Sequence, residues 1–523
     1  MVKSLFDICM STVCQNRLDD QLAYLPSVCK QRLLEFFSSH DKLFMGNCLR
    51  LVSSHAFGSN ITRLNFYLSD QLTDDILTTI ADYNRGLEEI AIIDCRNITD
   101  LGILAITTGQ DCLRKLELRA LAMLTSYGIG SICSYFLHTV DLSSCPLITS
   151  EGIHRLVYFN RNIRCLYLNH CKGIVSVKRR SVCDDGLYYI AKYLGENLTV
   201  LELDFLPNLS DPSTTLFHLC QNCPNIKQLS LCRFFEAETA FDEFSDYRIE
   251  GLGLRDVDLY GNYFLTLPML PPTVKRIRLS VCGDENVNDL ISKLRSLPQL
   301  NSIRLQLTCR DQSYRTMENA NRFLCSFIPY MGAKITSLQI SIPRLVDTAL
   351  RLITQCLPNL DHLALDVRHM NNKLLRRFFS GGACQPGSRL TTLKLCRLRI
   401  TYRALFAIAR GATSIMDLET SYMPCVDDRF LVLLADNCKR LCNVNFNGCK
   451  FVSDKGLAAL ARSCCLKEVR IRATSCTDKS IYILAQFCPD LEWISHADFS
   501  GRPKFSDKAL QCLRDSCIQR VIC

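Results

Sequence analysis

Repetition constrains this chain more than any other feature. The pattern L-x-x-L-x-L, then a turn, then an apolar helical stretch, returns about every 25 residues. Leu87, Ile90 and Ile92 are followed by Cys95 and Ile98-Thr99-Asp100. Leu137, Val140 and Leu142 are followed by Cys145 and Ile148-Thr149. Leu441, Val444 and Phe446 lead to Cys449 and Val452-Ser453-Asp454-Lys455-Gly456, and Leu466, Val469 and Ile471 to Cys476-Thr477-Asp478. Weaker copies begin near Ile61, Leu113, Ile163, Leu198, Ile226, Leu254, Val274, Leu300, Ile335, Leu360, Leu390, Ile415 and Leu491, and Ile518–Cys523 enters one more strand. One such unit has too little core to fold alone. Stacking joins the leucines into a continuous interior and the strands into a parallel sheet. The Thr/Ser-Asp pair before each helix reads as an N-cap, whose side-chain oxygen accepts an N–H that the first helical turn leaves free.

The period is that of a leucine-rich repeat, and it resembles the cysteine-containing subclass common in ubiquitin-ligase receptors. It predicts an α/β fold class: a leucine-rich-repeat solenoid, a horseshoe of about 16–17 units over residues 59–523, with a small helical box at 1–58. Three units are irregular: Val175–Cys183, with its basic Lys178-Arg179-Arg180; Phe234–Glu250, where Phe234, Phe235, Phe241 and Phe244 alternate with acids; and Leu300–Ile335. For the second, the favoured reading is a degenerate helix with its phenylalanines in the core.

The 31 cysteines suggest a disulfide scaffold. However, the N-terminus lacks the apolar core and cleavage site of a secretory signal, so the expected compartment is reducing. The expected localisation is cytoplasmic, with nuclear entry left open. Cys95, Cys145, Cys171, Cys282 and Cys449 share one slot after the strand, where a small side chain can point inward and meet backbone groups of the turn. Cys220, Cys223, Cys438 and Cys488 fall near helix ends. Cys220-Gln221-Asn222-Cys223 has C-x-x-C spacing, but the next unit offers only Cys232 in place of a second pair, so no metal or other cofactor is expected.

Composition excludes further classes. With 48% apolar and 22% charged residues, wholesale disorder is ruled out. The +9 charge is scattered rather than striped, which argues against a nucleic-acid partner. No apolar run reaches the roughly 18 residues of a membrane span, which argues against a membrane. There is no P-loop and no H-E-x-x-H, and repeat register accounts for His170-Cys171, with one residue outward and the other inward. The chain is therefore expected not to be an enzyme.

The head departs from the repeat. Ser4-Leu5-Phe6-Asp7 has the form of a helix cap, and Leu5, Cys9 and Val13 form an apolar stripe. A second helix is expected after Leu25-Pro26, with Cys29 and Leu33 on one face. On periodicity alone these helices read as a cap over the first open core edge. The same residues resemble a VHL-type box. Ser4 with Leu5, Cys9 and Val13 is similar to the BC box that docks on Elongin C. Leu25, Pro26, Cys29 and Leu33 resemble the cullin-2 box that follows it, with cysteine where a larger apolar residue is usual. The head as a whole resembles the Zyg-eleven/Zer-one family of receptors. Repeats continue here where those receptors carry an armadillo-like domain, so their glycine-degron recognition is not carried over.

The resemblance implies a non-catalytic substrate receptor of a cullin-RING ubiquitin ligase, with Elongin B/C, cullin-2 and its RING partner as partners. The alternatives are an F-box-type receptor, loosely echoed by Leu25-Pro26, Leu33-Leu34 and Phe36-Phe37, and a repeat scaffold outside ubiquitin chemistry. Substrate is expected on the concave strands, at outward positions: Glu202, Asp204, Asp256 and Asp258 as an acidic patch, Arg276, Arg278 and Arg304 as a basic one, and Trp493 as an anchor. Lys115, Glu117, Arg119, Glu468, Arg470 and Arg472 are further outward residues.

Overall fold

A computed structural model describes residues 25–39, 54–58, 60–67, 72–174, 186–209, 212–235, 252–262, 264–281, 283–307, 314–380, 386–496 and 504–517. Leu5, Cys9, Val13, Cys282, Phe241, Phe244 and the Lys178-Arg179-Arg180 segment lie outside the described residues. The described chain divides into two compact units, one within Met10–Lys275 and one within Arg276–Cys523.

The first unit carries β1 (Arg63–Tyr67), β2 (Glu89–Ile93), β3 (Lys115–Arg119), β4 (Thr139–Asp141), β5 (Cys165–Tyr167), β6 (Val200–Glu202), β7 (Gln228–Ser230) and β8 (Asp256–Asp258). Each pairs in parallel with the next. The second unit carries β9 (Arg276–Val281), β10 (Ser302–Leu307), β11 (Ser337–Ser341), β12 (His362–Asp366), β13 (Thr392–Cys396), β14 (Asp417–Ser421), β15 (Asn443–Asn445), β16 (Glu468–Arg470) and β17 (Trp493–Ser495), again parallel from neighbour to neighbour. Parallel neighbours need a crossover, and helices such as Asp100–Thr107 and Asp454–Ser463 supply it. This is the leucine-rich-repeat solenoid that the period predicts.

The strands alternate as expected. Leu64 and Phe66, Leu116 and Leu118, and Leu393 and Leu395 have no exposed surface, whereas the residues flanking them are half-buried or exposed. Each helix adds its own face, as with Phe430, Leu431, Leu434 and Ala435 of Asp428–Asn437. A fully buried leucine contributes roughly 1.5–3 kcal/mol.

Thr99, Ser453 and Thr477 do cap their helices, accepting the N–H of Leu101, Lys455 and Lys479. The aspartate that follows has a separate role. Asp74 accepts the N–H (2.9 Å) and hydroxyl (2.5 Å) of Thr99, and Asp100 those of Thr125. Asp428 does the same for Ser453, Asp454 for Thr477 and Asp478 for Ser506. Each carboxylate thus locks the cap of the next coil. Where a glycine holds the third helical position, this close approach leaves no space for a side chain. A Cβ on Gly152 would lie 2.9 Å from the Ser126 Cα, and one on Gly456 3.0 Å from the Asp428 Cα.

After most described strands, though not after β11 or β12, the chain turns through a left-handed residue, and most of these are not glycine. Asp94, Ala120, Ser144, His170, Phe205, Arg233 and Tyr422 have φ between 50° and 64°. This region disfavours L-residues. Here the turn aims the backbone N–H at the next coil: Asp94 donates to Arg119 O, Ala120 to Ser143 O, Phe205 to Cys232 O and Tyr422 to Asn447 O, at 2.7–2.9 Å. His170 therefore sits in the turn rather than projecting from β5.

The post-strand cysteines do point inward and meet backbone. The thiols of Cys145, Cys171 and Cys449 donate to the carbonyls of Leu118, Leu142 and Thr420 in the preceding coil at 3.0, 3.1 and 2.9 Å. Burial pushes Cys145 and Cys449 up to about 12 and Cys171 to about 11. Phe234 and Phe235 of the irregular Phe234–Glu250 unit are buried. The long Leu300–Ile335 unit is filled by a helix, Tyr314–Met331.

Candidate functional site

The described parts of the head are the short helix His55–Gly58 and the longer helix Ser27–Ser39, preceded by Leu25-Pro26. Pro26 enters it, accepting the N–H of Cys29 and Lys30 at 2.9 and 3.0 Å. The helix covers β1. The Gln31 side-chain amide accepts the Arg63 N–H (3.0 Å) and donates to the Arg63 carbonyl (2.8 Å), replacing a neighbouring strand. Leu25 and Cys29 are half-buried and Pro26 is exposed, but Leu33 has no exposed surface. This corrects the expectation that Leu33 faces a cullin: with Leu34, it belongs to the core beneath the cap. Val28, 65% exposed, is an outward apolar residue of this helix.

On the strand face of the first unit, Glu117, Asp141, Tyr167, Glu202, Ser230 and Asp258 stand in register on successive strands β3–β8. Two of the acids are neutralised: Lys115 Nζ lies 2.6 Å from Glu117 and Arg119 Nε 3.5 Å from Asp141. Glu202 and Asp204 are held by neutral donors. Glu202 accepts from Asn169 Nδ2 (2.8 Å) and Gln228 Nε2 (3.2 Å). Asp204 accepts from Ser230 Oγ (2.6 Å) and the Cys232 N–H (2.8 Å). Burial raises both carboxyls above the ordinary range despite these bonds. Tyr167 is pushed up to about 12 by burial, and by Cys165 and Glu202 beside it. The acids are thus half-buried and bonded into the face, where the sequence suggests freely solvated side chains. Asp256 and Asp258 flank Val257 on β8 and are likewise half-buried.

On the second unit, Arg278, Arg304, Gln339, Ala364, Lys394, Glu419, Asn445 and Arg470 form one outward row across β9–β16. Arg276 and Arg304 are exposed, and the Arg278 guanidinium donates to Gln306 Oε1 from Nε (2.9 Å) and Nη2 (2.7 Å). The acidic and basic sets expected to recognise substrate therefore belong to different units. Over β12–β16 the face hollows into a cavity of about 370 Å³, lined among others by His362, Lys394, Asp417, Glu419, Asn445 and Arg470. Asp417 accepts from Asn443 and from Thr392 Oγ1. At its end the Arg470 guanidinium lies 4.6 Å over the half-buried Trp493 ring and 3.5 Å from Glu468. Trp493 is therefore half of a cation–π pair. The sequence marks Arg470 and Trp493 as outward; Lys394, Asp417 and Glu419, which flank the inward Leu393, Leu395 and Leu418, are equally outward but are not singled out by it.

Cys220 and Cys223 are buried, and burial pushes both thiols up to about 12. Among the described residues no group of three or more His, Cys, Asp or Glu is placed to hold a metal ion. No described helix is long and apolar enough to cross a membrane.

No family model matches the chain. It is similar in structure to TLR13 in its complex with ssRNA13, at TM-score 0.43 and 13% identity over 83% of this chain and 62% of that one. The chain thus spans less than two thirds of that protein. It is similar to the leucine-rich repeat-containing protein LegL7 of Legionella pneumophila (TM-score 0.35, 15% identity, 53% of this chain and 97% of that one). It is also similar to yeast Rad7 in complex with Elc1 (TM-score 0.31, 13% identity, 97% and 96%).

Proposed function

We propose that this chain is the non-catalytic substrate-recognition subunit of a cullin-RING ubiquitin ligase. Leu5, Cys9 and Val13 would dock on Elongin C, and Leu25, Pro26 and Cys29 would extend the contact toward cullin-2. The strand faces hold the protein substrate. The supporting observation is the makeup of those faces: outward rows of charged and amide side chains in strand register, a cavity of peptide-accepting size, and carboxylates held half-buried at a cost in solvation. The ligase half of the reading is supported by the order of motifs in the head, a BC-type stripe followed by an L-P helix. Tethering a target beside a ubiquitin-loaded partner raises the effective concentration of its lysines without chemistry by the receptor.

A pulldown from cells tests this. Wild type is expected to recover Elongin C and cullin-2, and Leu5→Ala with Cys9→Ala to lose both while keeping its circular dichroism. Recovery of an F-box adaptor instead would assign the other ligase class. Absence of any ligase subunit from the wild type refutes the proposal. That outcome would leave a plain scaffold, a reading favoured by the way Gln31, Leu33 and Leu34 serve the array itself.

A further inference from the structure

The helix side of the second unit holds a cavity of about 640 Å³, set among the helices Asn372–Phe379, Pro386–Arg389 and Tyr402–Gly411. Arg376, Arg403 and Arg410 line it together with Ser388, Phe379 and Phe406. Arg403, Phe406 and Arg410 recur at helical spacing, so one face of a single helix supplies half of this set. Among the described residues no carboxylate lines the cavity.

Elsewhere in this unit some arginines pair with acids, Arg397 with Asp366, Arg429 with Asp427, Arg315 with Asp284 and Arg470 with Glu468, whereas others, such as Arg344, Arg351 and Arg368, stand in solvent with no ion pair among the described residues. Among the described residues the three cavity arginines have no ion pair and no side-chain hydrogen bond. Arg376 and Arg410 lie in the last turns of their helices, where a cation is favoured by the helix dipole. Arg403 lies in a first turn, where the dipole opposes it. All three residues are exposed, so water solvates their charges when the cavity is empty.

We propose that this cavity binds a small molecule carrying two or more phosphate groups. Guanidinium forks match phosphate oxygens in bidentate geometry, and three of them converging on one space call for a ligand of multiple negative charge. The volume falls within the usual range of small-ligand pockets, about 300–1,000 Å³. A nucleoside polyphosphate and an inositol polyphosphate share the recognised chemistry. The phenylalanine wall separates them, since only the nucleotide has a flat base to lay against Phe406. The site is independent of the ligase reading, because it uses neither the head nor the strand face.

The experiment is calorimetric titration of the full chain with sodium tripolyphosphate, ATP and inositol hexakisphosphate, for wild type, Arg403→Gln/Arg410→Gln, and Arg155→Gln. Arg155 pairs with Glu151 in the other unit and controls for general positive charge. Wild type and Arg155→Gln are expected to bind at least one polyphosphate alike. The double variant should bind about tenfold more weakly per arginine removed, with unchanged circular dichroism. ATP binding more tightly than tripolyphosphate assigns a nucleotide, and inositol hexakisphosphate binding most tightly assigns the inositol class. No binding by any of the three, or equal weakening in Arg155→Gln, overturns the proposal. So does a further titration in which a phosphoserine peptide alone binds, which would make the surface a docking face for a modified protein.

Discussion

Asp454 shows how single residues join the coils. It accepts from the Thr477 N–H and hydroxyl and from the N–H of Ser480 at 2.8, 2.7 and 3.1 Å, and from the Ser480 hydroxyl. Burial pushes its carboxyl up, but the donors of Ser480 and Thr477 together outweigh it and hold it below the usual range. A carboxyl lowered by folding stabilises above its unfolded value, near 3.9, and that stability is lost as pH falls through the folded value. Asp454→Asn should therefore cost about 1–2 kcal/mol at neutral pH. The gap to wild type should narrow below about pH 4, as measured by urea unfolding across a pH series. The sequence showed Thr477 as a cap because cap and helix are adjacent. It could not show the second role of Asp454, whose partner lies one coil further along. Nor could it show the left-handed turns at Ala120, Phe205 and Tyr422, because no glycine marks them. Their compensating hydrogen bonds are made to the following repeat.

At the level of elements, helix starts are set by contact with the helix before. Gly152 follows two residues into its helix and faces the Ser126 Cα, whereas Gly86 has open space, its nearest neighbour being Asn84 Oδ1 at 3.9 Å. Gly152→Ala should destabilise by about 1–3 kcal/mol despite the better helix propensity of alanine, and Gly86→Ala should change little. Thermal unfolding of the two variants is the check, and equal melting temperatures would contradict the packing described. Periodicity made the inward strand positions legible because alternation has one outcome once the leucines are buried. It also showed which residues face out. It leaves undetermined which of them meet, so Lys394, Glu419 and Asn445 are not legible beside Arg470 as one stretch. Leu33 was misread for a related reason: an apolar helical stripe looks the same whether it packs on its own chain or on another protein.

For the whole molecule, each coil touches chiefly its neighbours, so stability is close to a sum of local contributions. Long arrays of this kind depart from all-or-none unfolding. Leu395, with no exposed surface on β13, is a useful probe. Leu395→Ala should cost about 2–5 kcal/mol. Hydrogen exchange should accelerate most in β12–β14 and least in β2–β6, and uniform acceleration would mean that the chain unfolds as one cooperative body. The buried thiols offer a built-in assay for such events. Cys112, Cys133 and Cys465 are exposed, whereas Cys145, Cys171, Cys438, Cys449 and Cys488 are buried, and burial holds these five at about 11–12. An alkylating reagent near neutral pH would thus mark Cys112, Cys133 and Cys465 before these five, and reach each of the five only when its own coil opens. The chain carries a set of positional timers, one for nearly every turn of those coils, readable by mass spectrometry without any introduced label.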